Sequence, residues 1–229
     1  MAEANESNFV HGTFQEEIKN RFLCNVQMGD DVVTCYIPSS CHLSHFIDMT
    51  GRPVLLKPVT TPNARTPYAV YAVKYRRSYI LLNLAQANKV MESQLHRRYF
   101  SFLGKRKSIA HEYKIGMYKT DLFINDTNTL IEIKSILAFS RETCFPTVYS
   151  ERAVKQLEKI SRLLDQGYKA CYMLVSLNPK VIEISINKQD DDFYQAFLNC
   201  VNKGMTYCAF SIRLIGLEPE IYSRIKLSI

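Results

Sequence analysis

A chain of 229 residues, 47% of them hydrophobic, is long and apolar enough to bury the core of one large domain or two modest ones. Its formal net charge of +7 favours an anionic partner, nucleic acid or an acidic membrane surface, without choosing between them. No apolar run is long enough to span a bilayer, and Met1 to Val10 is polar with two glutamates, so neither a secretory signal nor an Arg-rich transit peptide is expected there.

In chain order, a polar leader over residues 1–15 gives way to strand-like runs at Arg21 to Val26, Val32 to Ile37 and Pro53 to Lys57, separated by turn formers such as Gly29-Asp30-Asp31. Tyr68 to Lys74 and Ser78 to Leu82 read as a hairpin around Arg76-Arg77. Short strands without an intervening helix predict a small all-β module over residues 16–82, an OB-like barrel. The pattern changes at Asn83, a good N-cap, after which Leu84, Ala87, Val90, Met91 and Leu95 recur at helical spacing. A domain boundary is therefore expected there, with an α/β (α+β) domain over residues 83–229. Its predicted elements are a strand at Ile109 to Ile115 and two strands around Asp121 and Glu132. A helix from about Ser150 to Gln166, stopped by Gly167, and strands Ala170 to Leu177 and Val181 to Ile186 come next. A helix Asp191 to Lys203, started by the acidic cap Asp190-Asp191-Asp192, and a last strand Tyr207 to Leu214 complete a mixed sheet flanked by helices.

The seven cysteines are odd in number, scattered and without a C-x-x-C pair, which is the usage of a reducing cytoplasm with buried free thiols. Cys41, His42 and His45 lie close together, but no second ligand pair stands at zinc spacing, so they read as loop and core residues. Nucleotide-binding glycine loops, a G-x-S-x-G elbow and an H-E-x-x-H pair are all absent from the sequence.

The most informative stretch is Thr120-Asp121-Leu122-Phe123-Ile124, followed after the turn formers Asn125 to Asn128 by Leu130-Ile131-Glu132-Ile133-Lys134. Strand periodicity puts Glu132 and Lys134 on one face and Ile131 and Ile133 on the other, and an antiparallel hairpin would bring Asp121 beside Glu132. Two carboxylates with open positions suit a hard cation, Mg2+ or Mn2+, better than zinc. Such a metal would polarise a phosphate and generate a nucleophilic hydroxide, with Lys134 orienting the attacking water or stabilising the scissile phosphate. An acid followed about ten residues later by E-x-K resembles the signature of the PD-(D/E)xK nuclease superfamily.

Other residues fit around this centre. Glu92 would be delivered by the first helix as a third carboxylate, and Arg152, Lys155 and Gln156 at i, i+3 and i+4 of the second would face a phosphate. Each also reads as an ordinary solvated helix face. Between Ser93 and His111 there is no acid, while Arg97, Arg98, Lys105, Arg106 and Lys107 are interleaved with Tyr99, Phe100 and Phe102. That stretch is expected to contact nucleic acid through its charges, its aromatics serving either stacking or the core. Arg76 and Arg77 at a hairpin tip form a second candidate contact.

Read together, these tokens resemble the SfsA family, the sugar fermentation stimulation proteins of bacteria and archaea. They are Arg21-Phe22-Leu23, Asn83 with Ala87-Asn88-Lys89 and Glu92, His111-Glu112-Tyr113-Lys114, Asp121, Glu132-x-Lys134, Phe145-Pro146, and Arg152 with Lys155-Gln156-Leu157. The resemblance implies an N-terminal OB-like domain, a PD-(D/E)xK nuclease-like domain and DNA binding. It puts Asp121, Glu132 and Lys134 on catalytic positions and Glu92 on a helical acid. Pro38-Ser39-Ser40-Cys41, Thr147 and Gln156 depart from the family pattern, although glutamine is accepted at that last position in the wider superfamily. The expected function is DNA binding with hydrolysis of DNA phosphodiesters dependent on Mg2+ or Mn2+, RNA being an open second substrate. The alternative is a non-catalytic DNA-binding regulator that retains the nuclease fold. No membrane partner is expected, and pairing of two copies into a homodimer is left open.

Overall fold

The computed structural model describes residues 9–18, 22–38, 43, 48–216 and 218–229. The Cys41, His42 and His45 cluster, Arg21 and the departing stretch at residues 39–41 therefore lie outside the described residues. The N-terminal part contains β1 (Val10–Glu17), β2 (Leu23–Met28), β3 (Asp31–Tyr36), β4 (Pro53–Pro58), β5 (Tyr68–Tyr75) and β6 (Ser78–Leu81). They are ordered β3-β2-β1-β4-β5-β6, and β3 also meets β5 in parallel with Tyr36 opposite Ala69. That pairing closes five strands into the OB-like barrel, which removes the exposed edges an open sheet would leave. Phe14, Val26, Ile37, Val54 and Val70 fill its interior.

Residues 10–15, expected as part of the polar leader, are instead most of β1 and pair with both β2 and β4. The strand hides its nature because Phe14 is its one fully buried large side chain. A close crossing also demands glycine at position 12, where a Cβ would stand 2.5 Å from Val26 Cγ1.

The C-terminal part opens with α1 (Ala85–Gln94) and a 3-10 turn over Arg98–Leu103. The strands β7 (Ile109–His111), β8 (Lys114–Ile115), β9 (Tyr118–Lys119), β10 (Leu122–Ile124), β11 (Thr129–Ile136) and β12 (Glu142–Phe145) follow. The helix α2 (Glu151–Asp165) leads to β13 (Lys169–Ser176) and β14 (Glu183–Ile186), and α3 (Asp191–Asn202) to β15 (Thr206–Ile215) and β16 (Glu218–Ser228). Eight strands form one mixed sheet ordered β12-β14-β16-β15-β13-β11-β10-β7, while β8 and β9 make a separate small hairpin. At its centre β11, β13 and β15 run parallel.

Both faces of this sheet are covered, which is why β13 is an unbroken apolar run. Cys171, Met173 and Val175 of β13 point to one core with Val90 and Met91 of α1, and Tyr172 and Leu174 point to another with Leu157 and Ile160 of α2 and Phe197 of α3. Leu55, Tyr71 and Ala72 of the barrel and Leu81 of β6 belong to the first of these cores, and the Leu81 N–H donates to the Leu177 carbonyl. The change of pattern at residue 83 thus marks a change of topology while the packing runs on across it.

Local signals acted as physical chemistry requires. Asn83 Oδ1 accepts from the Ala85 N–H at 3.1 Å, Ser150 Oγ from the Ala153 N–H at 3.3 Å, and Asp190 Oδ1 from the Phe193 N–H at 3.2 Å. Two expectations fail. The run Ile109 to Ile115 is broken at Glu112, whose φ of +49° turns the chain out of the sheet into the β8–β9 hairpin. The chain also does not stop pairing after β15, because β16 returns antiparallel to it and continues parallel to β14. Pro219 and the bulge between Ser211 and Ile212 disguise that strand.

Candidate metal and phosphate site

Alternation along β11 sends Ile131 and Ile133 to the core beneath α1, so Glu132 and Lys134 project toward α2. Leu122 of β10 lies opposite Ile131, which sets Asp121, the residue just before β10, next to Glu132. The sequence-predicted convergence of Asp121, Glu132 and Lys134 is therefore met by the geometry.

Each acid is held by specific partners. Asp121 Oδ2 accepts from the Ile133 N–H at 2.7 Å and Oδ1 from Asn88 Nδ2 of α1 at 3.1 Å. Glu132 is 2% exposed; its Oε1 receives Lys134 Nζ at 2.5 Å and its Oε2 the Tyr118 hydroxyl of β9 at 2.5 Å. Lys134 Nζ also donates to Gln156 Oε1 of α2 at 2.7 Å, so the amine ties strand to helix. Burial raises the pKa of Asp121, and the nearby charge of Glu132 adds to the rise. The Ile133 N–H, Lys134 and Asn88 oppose it. Burial likewise keeps Tyr118 and Tyr172 protonated, helped in both by the charge of Glu132. Tyr172 stands directly opposite Glu132 on β13, and its buried hydroxyl has no hydrogen-bond partner among the described residues.

Other predicted residues are placed differently. Glu92 lies one helical turn beyond Asn88, its side chain 42% exposed, and its Oε2 faces His111 Nδ1 at 3.4 Å. Asn88 rather than Glu92 is thus the α1 residue that reaches Asp121, and among the described residues no three His, Cys, Asp or Glu side chains form a metal-holding group. Lys155 is exposed and paired with Glu151 at 2.6 Å, one position away from the Gln156 that enters the site. Arg152 is exposed one turn before Gln156. Arg76 and Arg77 are exposed at the β5–β6 tip, Arg76 at φ +56° over the Tyr75 ring.

The basic stretch of residues 97–107 packs at the far end of the β10–β11 hairpin. Asp126 in the hairpin turn accepts from the Lys107 and Ser108 N–H groups and pairs with Lys105 Nζ at 3.1 Å. The length of β10 alone separates this turn from Asp121 by about 10 Å. Arg106 is bound inward, donating to the Leu95 carbonyl at 2.8 Å, the Arg97 carbonyl at 3.5 Å and the Gly104 carbonyl. Arg98 and Lys107 are exposed, as are Tyr99 and Phe102, whereas Phe100 is fully buried against Phe210.

Sequence reasoning missed Asn88, Tyr118 and Tyr172 as parts of the site. Asn88 belongs to the Ala87-Asn88-Lys89 segment that resembles the family, but nothing local to a helical asparagine or a strand tyrosine says which carboxylate it will meet 33 or 14 positions away. As for membrane insertion, none of the described helices is long and apolar enough to cross a bilayer.

Comparison with known proteins gives a consistent family. A model described as the SfsA N-terminal OB domain matches residues 18–82, and one described as the sugar fermentation stimulation protein RE domain matches residues 85–216. A sugar fermentation stimulation protein homolog of Clostridium perfringens is 25% identical over 213 residues, 91% of this chain and 92% of the relative. The homologs of Natranaerobius thermophilus and Methanococcoides burtonii are 22% and 24% identical, over 90% and 87% of this chain and 89% and 84% of theirs. A solved structure described as Pyrococcus furiosus SfsA in complex with Ca2+ superimposes with a TM-score of 0.82 at 17% identity, covering 97% of both chains, a likeness of fold.

Proposed function

The chain belongs to the sugar fermentation stimulation protein family, and from that premise we propose that it binds DNA and hydrolyses its phosphodiester bonds with the help of Mg2+ or Mn2+. The observation that carries the reading is the pair of neighbouring, largely buried carboxylates, Asp121 and Glu132, with a lysine fixed between them and a helix. An all-oxygen donor pair suits a hard divalent cation, and burial, with the added repulsion from Glu132, raises the pKa of Asp121, a cost of ionisation that such a cation relieves. The archaeal relative solved with Ca2+ supports a hard cation. When bound, the cation supplies Lewis acidity toward a phosphate and acidifies water.

The chain's own residues do the rest. Asp121 and Glu132 would hold the cation; each Asp121 oxygen accepts a single hydrogen bond and keeps a lone pair for it. Tyr118 and Asn88 fix the two carboxylates so that little reorganisation is needed on binding. Lys134, steadied by Gln156, carries the positive charge that a scissile phosphate or its attacking water would meet. Glu92, one turn beyond Asn88 on the same helix and turned toward His111, would serve as a further carboxylate near the pair.

A non-catalytic DNA-binding regulator is the competing reading, favoured by the Lys134–Glu132 pair, which neutralises one acid without any metal. The two separate in one experiment on labelled single-stranded and duplex DNA and on RNA. Cleavage is expected with Mg2+ or Mn2+, to vanish in EDTA, and to fall about 100-fold or more in Glu132→Gln while binding persists. Cleavage unchanged in that variant would sink the site; binding without cleavage under every metal would leave the regulator.

A further inference from the structure

Resting on that reading, we propose that α2 and the β8–β9 hairpin form a track for single-stranded nucleic acid, with one unpaired base seated in a groove beside the carboxylate pair.

The first observation is a stripe of charge. Arg152, Lys159 and Arg162 are exposed along α2, spanning about 15 Å of helix at 1.5 Å per residue. None of the three has an ion-pair partner among the described residues, whereas Lys155 is taken by Glu151. Gln156 lies between Arg152 and Lys159, one turn from each, and it is the residue that holds Lys134. A phosphate chain laid along these cations therefore runs past the glutamine that holds the amine of the site.

The second is a groove of about 250 Å³ at the end of this stripe, walled by Ile115, Met117 and Tyr118 of the hairpin and by Lys159, Arg162 and Leu163 of α2. Its apolar side is broad enough for one flat base and its two cations suit that nucleotide's phosphates, while a duplex is far too wide to enter. Tyr118 belongs to both places, lining the groove and donating its hydroxyl to Glu132. Met117, at the tip beside Gly116, is 96% exposed, the placing of an apolar wedge that slips beside a base. At the other end of the stripe Tyr149, 61% exposed just before α2, offers a ring on which a neighbouring base can stack.

The test measures binding in EDTA, so that no strand is cut, using DNA and RNA oligonucleotides that carry one fluorescent 2-aminopurine. Single strands are expected to bind about tenfold or more tightly than a blunt duplex of equal length, as base contacts on unpaired nucleotides predict. The paired substitution Lys159→Ala with Arg162→Ala should weaken single-strand binding and flatten its salt dependence by about 1.4 in slope, two phosphate contacts at roughly 0.7 each. Met117→Ser, on a side chain 96% exposed, should reduce the fluorescence change and leave the fold intact by circular dichroism. Equal affinity for single strands and duplex, or single-strand binding indifferent to both sets of substitutions, would overturn the track. The nuclease reading fails separately: wild-type protein that binds single strands through α2 but cuts nothing under Mg2+ or Mn2+ supports the track and removes the hydrolase. Protein that cuts duplex and single strands alike, regardless of Lys159, Arg162 and Met117, keeps the hydrolase and removes the track.

Discussion

Two basic regions of this protein look alike in sequence and differ in the fold. Residues 97–107 are dense in lysine and arginine, yet Arg106 is spent on backbone carbonyls, Lys105 on Asp126, and the whole stretch sits at the turn end of the β10–β11 hairpin. The helix α2 alternates cations with acids and looks like a solubility face. Its Arg152 and Lys159 nonetheless flank the glutamine that holds Lys134, and Arg162 shares a groove with Tyr118. Charge density along a chain measures how many cations are available; hydrogen-bond and ion-pair geometry decides which of them remain free for a ligand.

The comparison can be broken most forcefully at the carboxylates. Glu132→Gln is expected to lower metal-dependent cleavage by about 100-fold to 10,000-fold, whereas Lys107→Ala at the hairpin's turn end should change it by less than about twofold. Gel-based initial rates decide the matter, and comparable losses from both would abolish the distinction. Next in size, Lys134→Ala leaves Glu132 buried without its cation and should cost about 3–5 kcal/mol of stability in urea denaturation, with a smaller loss in Glu132→Gln.

Metal and pH give a third lever. Asp121 holds its proton more tightly folded than unfolded, so its contribution to stability is fully present below the ordinary aspartate range and is lost as pH rises through the raised value. A divalent cation should restore it: at a concentration of 100 Kd, Mg2+ is expected to add about 2.7 kcal/mol near pH 7.5, an effect that fades as acid protonates the site. Thermal melts with and without Mg2+ across pH measure this, and an undiminished shift in Asp121→Asn would move the metal elsewhere. Smallest, Arg106→Ala should cost about 1–3 kcal/mol through the carbonyls it abandons while leaving single-strand binding unchanged. A binding defect larger than its stability defect would return the 97–107 stretch to the interface.

Much of this architecture was legible because local signals agreed with one another. The turn formers around Gly29 and Asn125, the caps at Ser150 and Asp190 and the apolar run of β13 each act within a few residues, where chain geometry leaves little choice. The strand β1 was not legible, since its pairing with β2 and β4 is paid for by backbone bonds and a glycine crossing more than by apolar alternation. Nor was β16, whose proline and facing bulge mimic a loop.

The same division runs through the site. Sequence alone determined that Glu132 and Lys134 share a face and that Asp121 stands across a hairpin from them, because side chains alternate along a strand and a short turn fixes register. Only the tertiary structure decided that Asn88 is the α1 residue that bonds Asp121, that Tyr118 and Gln156 lock the acid and the amine, and that the Tyr172 hydroxyl behind them has no partner among the described residues. Those contacts join residues far apart in the chain, and their partners are chosen by how two helices and a hairpin pack on the sheet, a global outcome that no local pattern encodes.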